Sequence, residues 1–212
     1  MQVGAYVDGF NLYYALKRMQ WRHLYWLDLE ALCESLKPSG SSLAFVNYYT
    51  SRSKETARNR GISNRQQLYW RALRTRPKIN LIEGKILPRS SQCEATCKEG
   101  FSRYQEKETD VKLGIDIVRD ALKGRVQGII LITADTDQVP TLRLLQEETP
   151  NVNRRLCLPP STQKFPMELT NLAHKPFTGL TEAHLSPYVF DSRVKDASGK
   201  FIDKPLKWQR SK

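Results

Sequence analysis

Gly128-Ile129-Ile130-Leu131-Ile132-Thr133-Ala134-Asp135-Thr136-Asp137 is the stretch whose reading decides the fold. Its apolar run is short, β-branched and continuous, as in a strand buried on both faces of a parallel sheet. The run ends in two aspartates two positions apart. In open α/β sheets, ligands bind just beyond the carboxyl ends of the strands. Two negative charges therefore stand where a ligand would sit. Carboxylates held that close repel each other unless a proton or cation intervenes. A hard divalent cation, Mg2+ or Mn2+, is the natural partner of an oxygen-only site.

The arrangement occurs a second time at the start of the chain, Val3-Gly4-Ala5-Tyr6-Val7-Asp8-Gly9-Phe10-Asn11. Here too an apolar run ends in aspartate, and a helix is predicted over 10–18. If the two strands are parallel and near neighbours, Asp8, Asp135 and Asp137 converge at one sheet edge. The plainer reading of each is a turn former or helix cap. A third acidic element is Glu106-Lys107-Glu108-Thr109-Asp110, ahead of an amphipathic helix with Leu113, Ile117, Val118, Ala121 and Leu122 as its stripe. Thr109 or Asp110 falls at its N-terminus, where an anion is favoured. The plainer reading makes Asp110 a cap and Glu108 a solvated charge. Asp116 and Asp120 share a face and read as solvated.

Three blocks carry a specific resemblance: YVDGFNLYY at 6–14, EKETDVKLGIDIVRDAL at 106–122 and TADTDQVP at 133–140. They resemble the signature blocks of the NYN domain family, part of the PIN-like metal-dependent ribonuclease superfamily, in order and in spacing. Further matches are Tyr25-Trp26-Leu27-Asp28-Leu29, Tyr48-Tyr49-Thr50, RQQLYWRAL at 65–73 and Leu158-Pro159-Pro160. The likeness covers 1–190. It implies a PIN-like, Rossmann-like three-layer αβα fold with a central, mostly parallel sheet. It implies catalytic, metal-binding carboxylates at Asp8, Asp110, Asp135 and Asp137, with Asn11 and Thr133 as polar support and Glu108 as an addition. It also implies cleavage that leaves a 5′ phosphate and a 3′ hydroxyl. Two positions depart from the pattern. Thr133-Ala134 stands where many relatives carry Ser-Gly or Ser-Asn, and Gln138 where an apolar residue is common. Both leave the carboxylates intact and bear on substrate fit.

The 212 residues suit one α/β domain with a real core. No apolar stretch is long enough to span a membrane, and no secretory segment is read at Met1. Of four cysteines, Cys33 and Cys157 read as buried thiols, while Cys93 and Cys97 lie in a polar loop and lack two further zinc ligands nearby. A reducing cytoplasm is the expected setting.

Net charge is +12, from 34 Lys+Arg against 22 Asp+Glu. Clustered acids in a basic chain fit metal held within a field that attracts a polyanion, and RNA is the expected partner. Basic residues concentrate over 52–78, with Arg58, Arg65, Arg71 and Arg74 as candidate RNA contacts. Tyr13, Tyr14, Tyr69 and Trp70 are either base-stacking residues or part of the core. Oligomeric state is left open, a homodimer being one option.

The predicted order is strand 2–8, helix 10–18, helix 28–37, strand 43–50, helix 63–76, strand 79–86, helix 109–123, strand 128–133, helix 137–148, strand 153–158 and helix 163–174. The span 89–103 reads as a polar connection, and 191–212 as a basic tail or docking strand. The expected function is a Mg2+- or Mn2+-dependent endoribonuclease. The rivals are a non-catalytic RNA- or protein-binding module and an aspartate-nucleophile phosphohydrolase built on Asp135.

Overall fold

Val3, Ala5 and Val7 point to one side of the first strand and Tyr6 to the other, and all four are fully buried. A strand apolar on both faces needs cover on both. The computed structural model supplies that cover. It describes residues 1–55, 59–92, 100–162, 164–174 and 178–209. Arg58, Cys93 and Cys97 lie outside the described residues.

In chain order the elements begin β1 (Gln2–Asp8), α1 (Gly9–Arg18), α2 (Leu29–Leu36), β2 (Ser42–Thr50), α3 (Ile62–Leu73), β3 (Ile79–Glu83), β4 (Lys85–Gln92) and β5 (Gly100–Lys107). They continue α4 (Thr109–Leu122), β6 (Gly128–Ile132), α5 (Val139–Glu148), β7 (Asn153–Leu158), α6 (Met167–Asn171), β8 (Thr178–Gly179), α7 (Glu182–Leu185), β9 (Arg193–Lys195) and β10 (Phe201–Asp203). The main sheet has six strands in the order β3-β2-β1-β6-β7-β8, all parallel. Leu12 and Leu16 of α1, Leu29 and Leu32 of α2, and Tyr69, Trp70 and Leu73 of α3 pack on one face. Leu113 and Ile117 of α4, Leu142 and Leu145 of α5, and Leu169 of α6 pack on the other. This is the three-layer α/β fold the sequence implies.

From β1 the chain builds outward through β2 and β3, and from β6 it builds the opposite way through β7 and β8. The order therefore reverses between β1 and β6. At such a switch point the connections leave on opposite faces and open a crevice at the carboxyl ends. Val7 pairs with Ile132, which sets Asp8 level with Thr133.

Several elements differ from the sequence expectation. The strand expected over 79–86 stops at Glu83: the Gly84 N–H makes the last bond to β2, at 2.8 Å to the Thr50 carbonyl, and β2 itself ends at Thr50. Lys85 then starts an antiparallel hairpin, β4 with β5, which occupies much of the span read as a polar connection. The last expected helix is confined to Met167–Asn171. Among the described residues, no helix is long and apolar enough to cross a membrane.

The segment beyond 190 returns over the α3 side. Ile202 is buried, β9 pairs with β10, and the Trp26 indole donates to the Asp191 carbonyl at 2.9 Å. The Trp208 ring meets Tyr25 at 5.7 Å, with Trp26 and Tyr69 each at 6.2 Å. Trp208 is partly exposed, so truncating it costs less than the usual core aromatic. Trp208→Ala is expected to lower the unfolding free energy by about 2–3 kcal/mol, read as a lower urea midpoint with an unchanged slope. An unchanged midpoint would mean that this segment adds nothing to the fold.

Candidate metal centre

Asp8 ends β1 and begins α1. One of its oxygens, Oδ1, accepts the Asn11 backbone N–H at 2.9 Å, the bond of a helix N-cap. The other, Oδ2, accepts the Thr133 hydroxyl at 2.9 Å, and Thr133 is fully buried. Thr133 Oγ1 in turn accepts the Asp135 N–H at 3.1 Å, and the Asn11 side-chain oxygen accepts the Ala134 N–H at 3.0 Å. Asn11 and Thr133 thus stitch together the ends of two strands distant in sequence. Gly9 is what permits the approach, since a Cβ there would lie 2.5 Å from the Tyr49 carbonyl oxygen.

Asp135 caps the short turn Thr136–Gln138, accepting the Asp137 N–H at 3.0 Å. Asp110 arrives from the other layer, in the first turn of α4. Carboxylate oxygens of Asp8, Asp110 and Asp135 all lie within 4.8 Å of one another. Asp137 is not among these three. It is exposed on the rim of a groove between α4 and α5, which Asp110 also lines. Glu108 is turned elsewhere: its carboxylate is held by Lys85 at 2.9 Å and Lys112 at 3.2 Å. Those two ammonium groups pull its pKa down.

Burial pushes the Asp8 carboxyl from its ordinary 3.8 up to about 6, with Asp110 and Asp135 adding to the rise against the two hydrogen bonds. The folded pKa lies above the unfolded one, so folding favours the protonated form. Stability of the metal-free protein is therefore expected to fall as pH rises from about 4 to about 6, by at most about 3 kcal/mol. Urea unfolding of wild type and Asp8→Asn across that window checks this. Parallel pH profiles would remove Asp8 as the cause.

The position of Asp110 depends on Gln138, which in the sequence bore only on substrate fit, and on Gly114, which the sequence did not single out. Gln138 is buried; its Nε2 donates to the Asp110 carbonyl at 3.1 Å and its Oε1 accepts the Thr141 hydroxyl at 3.0 Å. Gly114 lets the helices close, since a Cβ there would meet Thr141 Oγ1 at 2.7 Å. Further along α4, Asp120 is buried rather than solvated. It accepts the Tyr6 hydroxyl at 3.0 Å and pairs with Arg119 and Arg125. Asp116 likewise accepts the Tyr49 hydroxyl at 2.9 Å. These bonds fix α4 to the sheet. The readable signal was position, because Asp120 falls on the same face as Leu113 and Ile117.

The candidate RNA contacts are scattered in character. Arg65 donates to the Asn59 side chain at 2.7 Å and the Arg60 carbonyl at 2.9 Å. Arg71 pairs with Asp196 at 3.2 Å, and Arg74 is exposed. Tyr69 and Trp70 belong to the core, and the Tyr69 hydroxyl donates to the Leu27 carbonyl at 2.9 Å. They have no exposed face for a base. Tyr14 does, at 47% exposure, and it stacks on Phe10 with centroids 6.3 Å apart.

Comparisons with known proteins agree with this geometry at the level of family and fold. The model of the NYN domain matches residues 2–179. A 6-hydroxy-3-succinoylpyridine 3-monooxygenase from Pseudomonas putida is 30% identical over 194 residues, covering 77% of this chain and 61% of that protein. The chain thus spans less than two thirds of that relative's length. The crystal structure of a protein of unknown function from Vibrio parahaemolyticus superposes with a TM-score of 0.51 at 13% identity, covering 87% of this chain and 95% of that one. At that identity the likeness speaks for the fold alone.

Proposed function

Because this chain belongs to the NYN domain family, we propose that it is a metal-dependent endoribonuclease acting on single-stranded or structured RNA. The observation that carries this reading is the convergence of Asp8, Asp110 and Asp135 at the switch point of the sheet. The donor set fits Mg2+ or Mn2+: it is oxygen only, and its buried member needs a compensating charge. Asp8, Asp110 and Asp135 would hold the ion, and Asp137 is proposed as a further ligand. When bound, the ion acidifies the attacking water and offsets the charge that gathers on the phosphate.

The protein's own groups do the positioning. Thr133 and Asn11 hold the Asp8 carboxylate in place, and Gln138 holds the start of α4. The basic field of the chain, net +12, draws a polyanion to the acidic crevice. The Phe10–Tyr14 pair, on the helix that begins beside Asp8, offers a stacking face only to unpaired bases. Cleavage is proposed to leave a 5′ phosphate and a 3′ hydroxyl.

The test is incubation of labelled single-stranded RNA, and of the same RNA annealed to its complement, with Mn2+, Mg2+ or EDTA. Cutting is expected with either ion, stopped by EDTA and faster on the single strand. RNA bound but uncut under every condition would make this a binding module. Faster cutting of the duplex would remove the stacking argument.

The name of the Pseudomonas putida relative supports a second reading, oxidation of a small aromatic ring. Oxygen uptake with the pyridine named there and a nicotinamide reductant, without RNA cleavage, would favour it.

A further inference from the structure

The groove between α4 and α5 opens directly onto the acids, and Gln138 on its lining also holds the start of α4. It is open to solvent and offers about 760 Å3, and Asp110 and Asp137 line it together with Val111, Ile115, Thr141 and Leu144. That volume is within the range of pockets that take small organic groups, roughly 300–1,000 Å3. Its apolar members are unusually open: Val111 is 64% exposed, Ile115 57% and Leu144 40%. On α4, Val111 and Ile115 are four apart, so they stand on one face. Solvent-facing apolar groups gathered in this way mark a binding surface.

We propose that this groove is a base-binding subsite, which seats the base of the nucleotide whose phosphate lies at the acidic crevice. The proposal rests on the nuclease reading above, and three observations choose the occupant. First, the groove is continuous with the acidic trio through Asp110, so its occupant and the reacting phosphate belong to one molecule. Second, Lys107 lines it at an exposed position and supplies a positive charge for a flanking phosphate, whereas Arg119 beside it is already paired with Asp116 and Asp120. Third, Val111, Ile115, Val118 and Leu144 give it an apolar side, while the Thr141 oxygen can still accept a hydrogen bond beyond the one its hydroxyl donates to Gln138. An apolar side edged by polar groups suits a heteroaromatic ring with hydrogen-bonding edges. The absence of a side chain at Gly114 keeps the two helices in contact there.

The experiment measures binding by calorimetry, with Mg2+ present, for AMP, UMP and ribose 5-phosphate. The three share a phosphate and a sugar, and only the first two carry a base. The nucleotides are expected to bind about tenfold more tightly than ribose 5-phosphate, as stacking of one base would give. Ile115→Ser and Leu144→Ser, both at exposed positions outside the acidic cluster, should reduce that advantage to threefold or less. Ile115→Phe should preserve it. Equal binding of all three probes, no binding of any, or an advantage unchanged in Ile115→Ser would overturn the proposal. So would an oligomer of the wild type that falls apart in Ile115→Ser, because the face would then belong to a second copy of the chain. RNA cleavage without a base advantage removes the subsite and leaves the nuclease reading. A base advantage without cleavage does the reverse.

Discussion

Asp135→Asn and Asp8→Asn are each expected to lower metal-dependent RNA cleavage by at least about a hundredfold while leaving the chain folded. Outer partners of metal ligands are worth about 10–100-fold on their own, so a ligand itself is worth no less. The same substitutions should act on stability in the opposite sense. Three carboxylates within 4.8 Å of one another repel when no cation is present, and Asp8 is buried as well. Replacing one of them by a neutral isostere relieves that repulsion. Without metal, Asp8→Asn should therefore melt at or above the wild-type temperature. Adding Mn2+ should raise the melting temperature of wild type, and of the variants by much less, since a ligand stabilises only the state that binds it. Paired activity and thermal-shift measurements check both halves. Wild-type cleavage by both variants would remove the three carboxylates from the mechanism. Lost activity accompanied by a lower melting temperature in EDTA would show damage to the fold.

RNA affinity is the second large effect. If the basic surface neutralises about five phosphates of a single strand, the logarithm of the binding constant falls with a slope of about −3.5 against the logarithm of salt concentration. Affinity should then drop about a hundredfold between about 50 and about 200 mM salt. Arg74 is exposed, and Arg65 lies close enough to Tyr13 to act on its phenol, which places it near the helix that begins at the crevice. Arg71 already has a partner in Asp196 and should contribute less. Arg74→Ala is expected to weaken binding to many sequences alike and to flatten the slope by at most about 0.7. Filter binding over a salt series measures both. An affinity that barely changes with salt would leave the charge of +12 without a role in RNA binding.

The parallel sheet was legible because β1 and β6 are buried on both faces and so read as continuous apolar runs. Their adjacency was not legible from either run. Asp8 and Thr133 are 125 positions apart, and only the sheet order makes them partners. The β4–β5 hairpin escaped the sequence because neither of its stretches has the continuous apolar run that marks β1 and β6. Tyr69 and Trp70 sit among arginines in the sequence, but their place next to Ala72 and Leu73 on the buried side of α3 outweighs that neighbourhood. Gln138 read as a departure where an apolar residue is common. It is buried because its amide is satisfied at both ends, by Asp110 and by Thr141. Asp120 read as solvated because its partner Tyr6 is 114 positions away, beyond any local pattern.

The seam between β1 and β6 also governs when the acidic trio comes into being. A ribosome releases β1 well before β6, and a strand buried on both sides gains little until its second neighbour arrives. Asp8 waits through the synthesis of α1, α2, α3, the hairpin and α4 before Asp135 exists to join it. No growing chain that stops short of that residue holds the three carboxylates. The nascent protein therefore emerges among the RNAs of the translation machinery with its acidic centre in separate pieces, and the centre closes only once β6 has docked.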